Sequence, residues 1–290
     1  MAKIKKHARY NRFGLFDAVL YLCIILFCAC IILPFVHIIA VSLSDNKYVL
    51  LNQISFWPKG FTLETYRFIL RDGTFLNAYK NTLLVTVTGT ALSLTITAMC
   101  AYALSRRAIV GHKLFSIMIT VTMFFSGGLI PTFLAVESYG LINTRWAMIL
   151  PSLINTWNMI IMRSFFISYP SEIIESGQMD GLQDAGVFFR LVLPTSKAAL
   201  ATIGLYYAVA YWNSYMSARI YIHDQTLYPV QSLLQRMIQQ TMQETDVEEV
   251  HIASSVRYAS IMVVVLPIMC VYPFIQKYFV KGVMVGSVKG

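Results

Sequence analysis

Charge is what this chain has least of. Of its 290 residues only 13% are Asp, Glu, Lys or Arg, about half the rough quarter that a soluble domain carries. That is too little to cover a water-exposed surface, and with 57% hydrophobic residues the chain reads as a membrane protein. Cysteine is sparse. Cys23, Cys28, Cys30, Cys100 and Cys270 all sit inside apolar runs, with no CxxC and no histidine at ligand spacing, so neither a disulfide framework nor a zinc site is indicated. No glycine is followed by lysine anywhere, which excludes the GxxxxGK[ST] loop that cradles nucleotide phosphates. HExxH, GxSxG and paired intramembrane carboxylates are also missing, so no enzyme signature remains. The formal net charge of +9 does not point to nucleic acid, because the basic residues lie between apolar runs and at the ends, where topology signals sit.

What is present is six stretches free of Asp, Glu, Lys and Arg: residues 18–44, 81–105, 114–136, 146–162, 198–218 and 258–276. Crossing the hydrocarbon takes about 20 helical residues, with roughly 17–25 tolerated, and irregular chain cannot cross because its backbone groups would go unpaired in lipid. The expected fold is therefore an all-α, polytopic membrane protein with six transmembrane helices. The first stretch follows a basic start (Lys3, Lys5, Lys6, Arg9, Arg12) but has 27 residues, well beyond the roughly 7–15 of a cleavable signal, and is expected to stay as an uncleaved first helix.

Orientation follows from Lys and Arg. With the N-terminus inside, 14 of the 23 basic residues fall on inner segments and nine on outer ones, so both termini are expected in the cytoplasm. The 106–113 turn carries Arg106, Arg107 and Lys113 without an acid. The 219–257 segment, with Gln239, Gln240, Gln243, Glu244, Asp246, Glu248 and Glu249, suits an aqueous external face. Proton and sodium relays need ionisable groups within the bilayer, and the spans offer only His37 besides Tyr and Cys. That histidine is either a packed, hydrogen-bonded side chain or a relay group.

The 163–197 interval is too long for a simple turn. Ser171, Glu172 and Glu175 with Ile174, Leu182 and Ala185 predict an amphipathic helix or helix pair there, with Gly181 breaking or tightening it. Pro194 is expected to stop the segment that begins at Phe188, just before the fifth span. By composition this interval is either a loop on the membrane surface or a docking element for a soluble partner.

Glu175, Asp180, Gly181, Phe188, Leu193 and Pro194 fall on the spacing E-A-A-x-x-D-G-x(6)-F-x(4)-L-P, which resembles the coupling loop of permease subunits of bacterial ABC importers. Ser176 and Gly177 stand where that pattern has alanines, Leu182 where it has a small residue, and Ala198 where proline often closes it. The resemblance runs over the whole chain and is to the carbohydrate branch, the maltose-type permeases and among them the LplC-like oligosaccharide group. It is carried further by Trp57-Pro58-Lys59-Gly60-Phe61-Thr62 with Tyr66, Asn81-Thr82-Leu83, Ala101-Tyr102-Ala103-Leu104-Ser105-Arg106, Phe125 through Pro131, Trp212-Asn213-Ser214, Tyr272-Pro273-Phe274 and the ending Gly286 through Gly290.

The resemblance implies the type I importer permease fold in the bacterial inner membrane, contacting lipid. It implies a heterodimer with a second permease, two copies of an ATPase, and an external solute-binding protein that delivers an oligosaccharide. It also implies that ATP and Mg are bound by the ATPase, with no cofactor on this chain, and that the Glu175–Pro194 element is gripped by that ATPase. The tail residues Val288, Lys289 and Gly290 either face headgroups or, as in similar permeases, reach the ATPase pair. Gly127 and Gly128, with Pro131, loosen the third span, either beside the substrate path or as a packing kink. Tyr211, Trp212, Asn213 and Tyr215 form an aromatic and amide set that suits sugar ring faces and hydroxyls, or else an interfacial belt. The alternative function is an ATP-independent sugar facilitator whose 163–197 interval is merely structural.

Overall fold

A computed structural model describes residues 14–71, 73–106, 109–241, 255–271 and 273. Among these residues every regular element is helical, as the apolar runs require. The chain divides into two compact units, one of Met1–Arg67 and Glu244–Met262, the other of Phe68–Gln243 and Val263–Gly290.

In the first unit α1 (Leu15–Ser42) is a single helix of 28 residues. Its side chains are apolar all round, as expected of a helix solvated by lipid, and only Ala40, Val41 and Ser42 are buried. Pro34 lies inside α1, where a transmembrane helix tolerates it. The chain then folds back on the helix end. Asp45 caps α2 (Asn46–Leu50) by accepting from the Lys47 amide, Ser44 Oγ donates to the Ala40 carbonyl and the Thr62 amide donates to Leu43 O. Tyr66, on α3 (Glu64–Arg71), donates its hydroxyl to Ser42 Oγ at 2.8 Å. His37 is the packed, hydrogen-bonded residue of the two readings: its Nδ1 bonds the Ser55 carbonyl at 2.7 Å and its ring stands edge-on to Tyr258.

The second unit is built around α4 (Gly73–Ser105), 33 residues long and longer than the 81–105 stretch because Gly73–Lys80 extends it past the apolar run. Its main partners are α8 (Thr156–Ile167) and α11 (Lys197–Trp212). The packed face of α4 reads Asn81, Val85, Gly89, Ser93, Thr97 and Ala101, every fourth residue and all buried. Residues four apart share one helix face, and small ones let neighbouring backbones approach closely in lipid, where packing and interhelical hydrogen bonds rather than hydrophobicity hold helices together.

Three of the expected spans are interrupted. The 114–136 stretch is two helices, α5 (His112–Phe124) and α6 (Leu129–Ser138), bent by 116°. The 146–162 stretch gives α7 (Trp146–Ile149) and a tight turn at Leu150–Ser152 before α8 begins, since Pro151 and the capping residue Asn155 favour a restart over continuation. The 198–218 stretch ends α11 at Trp212 and resumes as α12 (Tyr215–Tyr221). Between α8 and α11 lie α9 (Ser171–Met179) and α10 (Asp184–Thr195), which meets α11 at 83°. Beyond α12 comes α13 (Val230–Thr241), and α14 (Ser255–Val271) covers most of the 258–276 stretch, whose end lies outside the described residues. By length and composition two of the described helices could cross a membrane singly, or four crossings result if each bent pair is one.

Candidate functional site

The 163–197 interval is a structured element. α8 runs on to Ile167, and α9 is one amphipathic helix with Ile174 and Gly177 buried. Glu175, Asp180 and Gly181 are exposed, as is Met179. Gly181 has φ +83° and closes α9: its amide donates to Gln178 O and the Leu182 amide to Gly177 O. This is the 6→1 and 5→2 pair that satisfies the last carbonyls of a helix, and the left-handed conformation is the reason for glycine there. Gly177, where the family pattern has alanine, leaves room for Leu191: a Cβ on it would lie 2.5 Å from Leu191 Cδ1. The large residue at 182 is accommodated too, its side chain packing over Gly186.

Phe188 anchors the element. It is buried, with its ring 4.9 Å from Tyr102 of α4 and 6.4 Å from Phe166 of α8, while Tyr102 and Phe166 stand at 5.9 Å, edge to face. Such aromatic contacts add about 0.5–1.5 kcal/mol each beyond area burial. Val187 and Val192 are fully buried beside it. Residues Phe188–Val192 form a π-turn. Pro194 does not stop the helix at once, contrary to the sequence expectation. The wide turn before it relieves the clash between the proline ring and the preceding carbonyls, so α10 runs on to Thr195 and the chain turns at buried Ser196, whose Oγ donates to Val192 O. Leu193 is half-buried and Pro194 exposed.

The second feature is a cavity of about 500 Å³, within the roughly 300–1,000 Å³ usual for ligand pockets. It lies where the two interruptions meet, between the start of α8 and the α11–α12 break. Tyr207 and Tyr211 stack along one wall. Their hydroxyls are committed elsewhere: Tyr207 Oη pairs with Thr97 at 2.7 Å and accepts from the Asn155 amide at 2.9 Å, and Tyr211 Oη pairs with Ser93 at 2.8 Å. These bonds fix the rings, so the wall is rigid and the cavity sees ring surface. Gly89 permits it, since a Cβ there would lie 2.8 Å from the Tyr211 ring.

Of the aromatic and amide residues expected at a substrate path, Tyr211 and Asn213 line this cavity. Asn213 is exposed, with Nδ2 donating to Val209 O and Oδ1 accepting from Gln231. Trp212 is buried on another side, edge-on to Tyr79 at 6.2 Å, and Tyr215 accepts from Arg219. Gly127 and Gly128 are not brought to the cavity: they form the exposed break between α5 and α6. Gly128 has φ +83° and ψ 178°, a region open essentially to glycine alone, and no atom lies within 4 Å of a Cβ built on it. The break is therefore not a tight helix contact. Pro131 sits in the first turn of α6, where no amide donor is needed. Val288, Lys289 and Gly290 lie outside the described residues.

Sequence reading missed the α4 stripe and the Asn155–Asn158 side of the cavity. The four-residue spacing of Gly89, Ser93, Thr97 and Ala101 was a usable signal. Asn81, read only as opening the second span, is a buried clasp. Its Oδ1 accepts from Arg145 Nε and Nη2 at 3.1 and 2.8 Å, and its Nδ2 donates to Thr226 O at 2.7 Å. The loop it holds is capped by Asp224, which accepts from the Thr226 amide at 2.8 Å; this bond holds the Asp224 carboxyl below its ordinary pKa.

Residues 93–285 match the family described as binding-protein-dependent transport system inner membrane component. The chain is similar to the polygalacturonan/rhamnogalacturonan transport system permease protein YtcP of Bacillus subtilis, 42% identical over 95% of this chain and 99% of that one. It is also similar to Protein LplC of the same organism, 40% identical over 89% and 90%. Among solved structures it resembles a chain of a bacterial ABC transporter involved in the import of the acidic polysaccharide alginate, with TM-score 0.87 and 30% identity over 93% of this chain and 99% of that one. The match over two thirds of the chain and the identity of these relatives over most of its length agree with the likeness first carried by the Glu175–Pro194 spacing, and the chain belongs to the family of inner-membrane permease components of binding-protein-dependent transport systems.

Proposed function

We propose that this chain is one of two permease subunits of an ATP-driven importer that carries an oligosaccharide delivered by an external solute-binding protein. The substrate class rests on the relatives that handle polygalacturonan, rhamnogalacturonan and alginate. ATP and Mg belong to two copies of a separate ATPase, and both termini face the cytoplasm. The observation that carries the reading is the Glu175–Pro194 element. It presents Glu175, Met179 and Asp180 outward from α9 while Phe188 is locked between α4 and α8.

The mechanism follows from that arrangement. ATP closes the partner dimer, the exposed face of α9 moves with it, and Phe188 and Val192 pass the displacement to the helices that line the cavity. Coupling is mechanical, because the apolar runs contain no charge that could relay it. The Val288–Gly290 tail is a second contact for the ATPase pair, and the Tyr211–Asn213 region and the break at Gly127–Gly128 lie along the substrate path.

The test is to solubilise the tagged protein gently and identify the chains that accompany it. A second permease and a P-loop ATPase are expected. Recovery of this chain alone, with sugar uptake into vesicles that persists without ATP, would replace the reading with that of a facilitator.

A further inference from the structure

Another cavity, of about 550 Å³, lies between α4, α5 and α8 and shares no lining residue with the one beside α11. Leu104 of α4 lines it, with Phe115, Ile119 and Thr122 of α5 and Thr156 and Met159 of α8. Residues three, four and seven apart share a helix face, so two of these walls run on to a fixed neighbour: from Phe115 to His112 on α5, and from Met159 to Arg163 on α8. Both neighbours meet at Leu104. Arg163 Nε donates to the Leu104 carbonyl at 2.9 Å, and His112 Nε2 lies 2.9 Å from that oxygen and 3.3 Å from Arg163 Nη2. At the far end Thr122 Oγ1 and Thr156 Oγ1 pair at 3.3 Å, so the hydroxyls there satisfy each other. The cavity is thus an apolar slot, about two helical turns or 10 Å from Phe115 to Thr122, with cationic character at one end only.

We infer that the slot takes one acyl chain of an anionic phospholipid whose phosphate is bound by Arg163. The lining contains no Asp, Glu, Lys, Arg or His, which suits hydrocarbon. Arg163 is half-buried, no acid pairs with it among the described residues, and its Nη1 group bonds none of them. A guanidinium with donors to spare matches phosphate, and the exposed Lys113 beside His112 adds a second positive charge. Basic pockets between transmembrane helices at the cytoplasmic surface are where anionic headgroups bind. A zwitterionic lipid carries its own cation next to the phosphate and gains less here, and a soluble anion leaves the slot unfilled. The choice of the inner leaflet rests on the orientation proposed above; the binding itself does not.

The experiment is native mass spectrometry of the solubilised protein, with whatever chains accompany it, titrated with phosphatidylglycerol, phosphatidylcholine of the same acyl chains, and glycerol phosphate. Phosphatidylglycerol is expected to be held about ten- to a hundredfold more tightly than phosphatidylcholine, the range of a hydrogen bond to a charged group, and glycerol phosphate not to be retained. Arg163→Gln should remove the preference and Arg163→Lys should restore part of it. Because Arg163 also holds the end of α4, Ile119→Trp is the second variant: it fills the slot, leaves the clasp in place, and should weaken phosphatidylglycerol binding at least as much without lowering the thermal midpoint in lipid-free detergent. A benzophenone side chain at position 115 should crosslink to lipid in the native membrane. Equal retention of the two lipids, retention of glycerol phosphate, binding indifferent to Ile119→Trp, or crosslinking from position 115 to a second permease would overturn the site. Labelling of Val110→Cys only from outside would overturn the orientation and the leaflet, while the lipid preference in detergent would still stand.

Discussion

Gly89 shows how one missing methyl group shapes the interior. The Tyr211 ring lies against the α4 backbone where a Cβ would sit at 2.8 Å, and its hydroxyl is held by Ser93, so the ring has nowhere to retreat. Gly89→Ala is expected to cost about 1–3 kcal/mol, the range for overpacking a filled core, read as a lower thermal midpoint in detergent. Gly73→Ala, with nothing within 4 Å, should be near neutral on the same assay. A backbone constraint governs Gly128 instead. Its φ of +83° with ψ near 180° makes Gly128→Ala cost about 1–3 kcal/mol, whereas Gly127→Ala should be mild, since its Cβ would meet only Pro131 at 3.9 Å. An equal loss at both positions would mean that the break is set by packing and not by backbone conformation.

Among the elements, the Glu175–Pro194 segment was the most legible in sequence, because its motif spacing is local and each position has a local cause. Gly181 is the glycine that a left-handed helix end demands, and Phe188 is the one aromatic of the pattern that the α4–α8 contact buries. The helix interruptions were less legible. Absence of charge marks where lipid contact is allowed, but it does not say whether the backbone inside is continuous. The breaks at Gly128, Pro151 and Asn213 depend on turn chemistry that apolar counting ignores. The Tyr207–Thr97 and Tyr211–Ser93 pairs were hidden for a different reason: they join residues more than a hundred apart.

Phe188→Ala should cost about 3–5 kcal/mol of packing. In an importer that still assembles, ATP hydrolysis is expected to continue while sugar no longer stimulates it. Retained stimulation would show that force travels by another contact. For the 223–230 loop, the depressed Asp224 pKa means that its cap stabilises the loop above the ordinary carboxylate range, and that this contribution is lost as pH falls through the lowered folded value. Proteolytic nicking of the loop should therefore rise at acid pH in the native protein. In Asp224→Asn it should already be raised at neutral pH and change less on acidification.

For the whole molecule, the distribution of charge bears on orientation more than on fold. The nine-to-fourteen division of basic residues predicts that a cysteine placed at Val110, 93% exposed, is labelled only from the cytoplasmic side. One at Tyr139, 80% exposed, should be labelled only from outside. A membrane-impermeant maleimide on intact cells and on inverted vesicles distinguishes the two, and the opposite pattern would reverse the topology. The same scarcity of charge bears on the proposed partnership: no glycine is followed by lysine and the apolar runs carry no Asp, Glu, Lys or Arg, so in the importer proposed above the drive would come from the separate ATPase.

How it would be moved is set by the corner at Ser196. α10 and α11 meet at 83°, so a force directed along α10 strikes α11 almost broadside, at its base. A helix of 16 residues is about 24 Å long, and a sideways push at one end, with the stacked tyrosines tied to α4 further along, turns it like an oar in its rowlock. The blade of that oar is what lies past the tied rings, the Trp212–Asn213 end. In the importer proposed above, a small stroke at Ser196 would therefore reach the cavity at Asn213, without any helix having to slide past its neighbour.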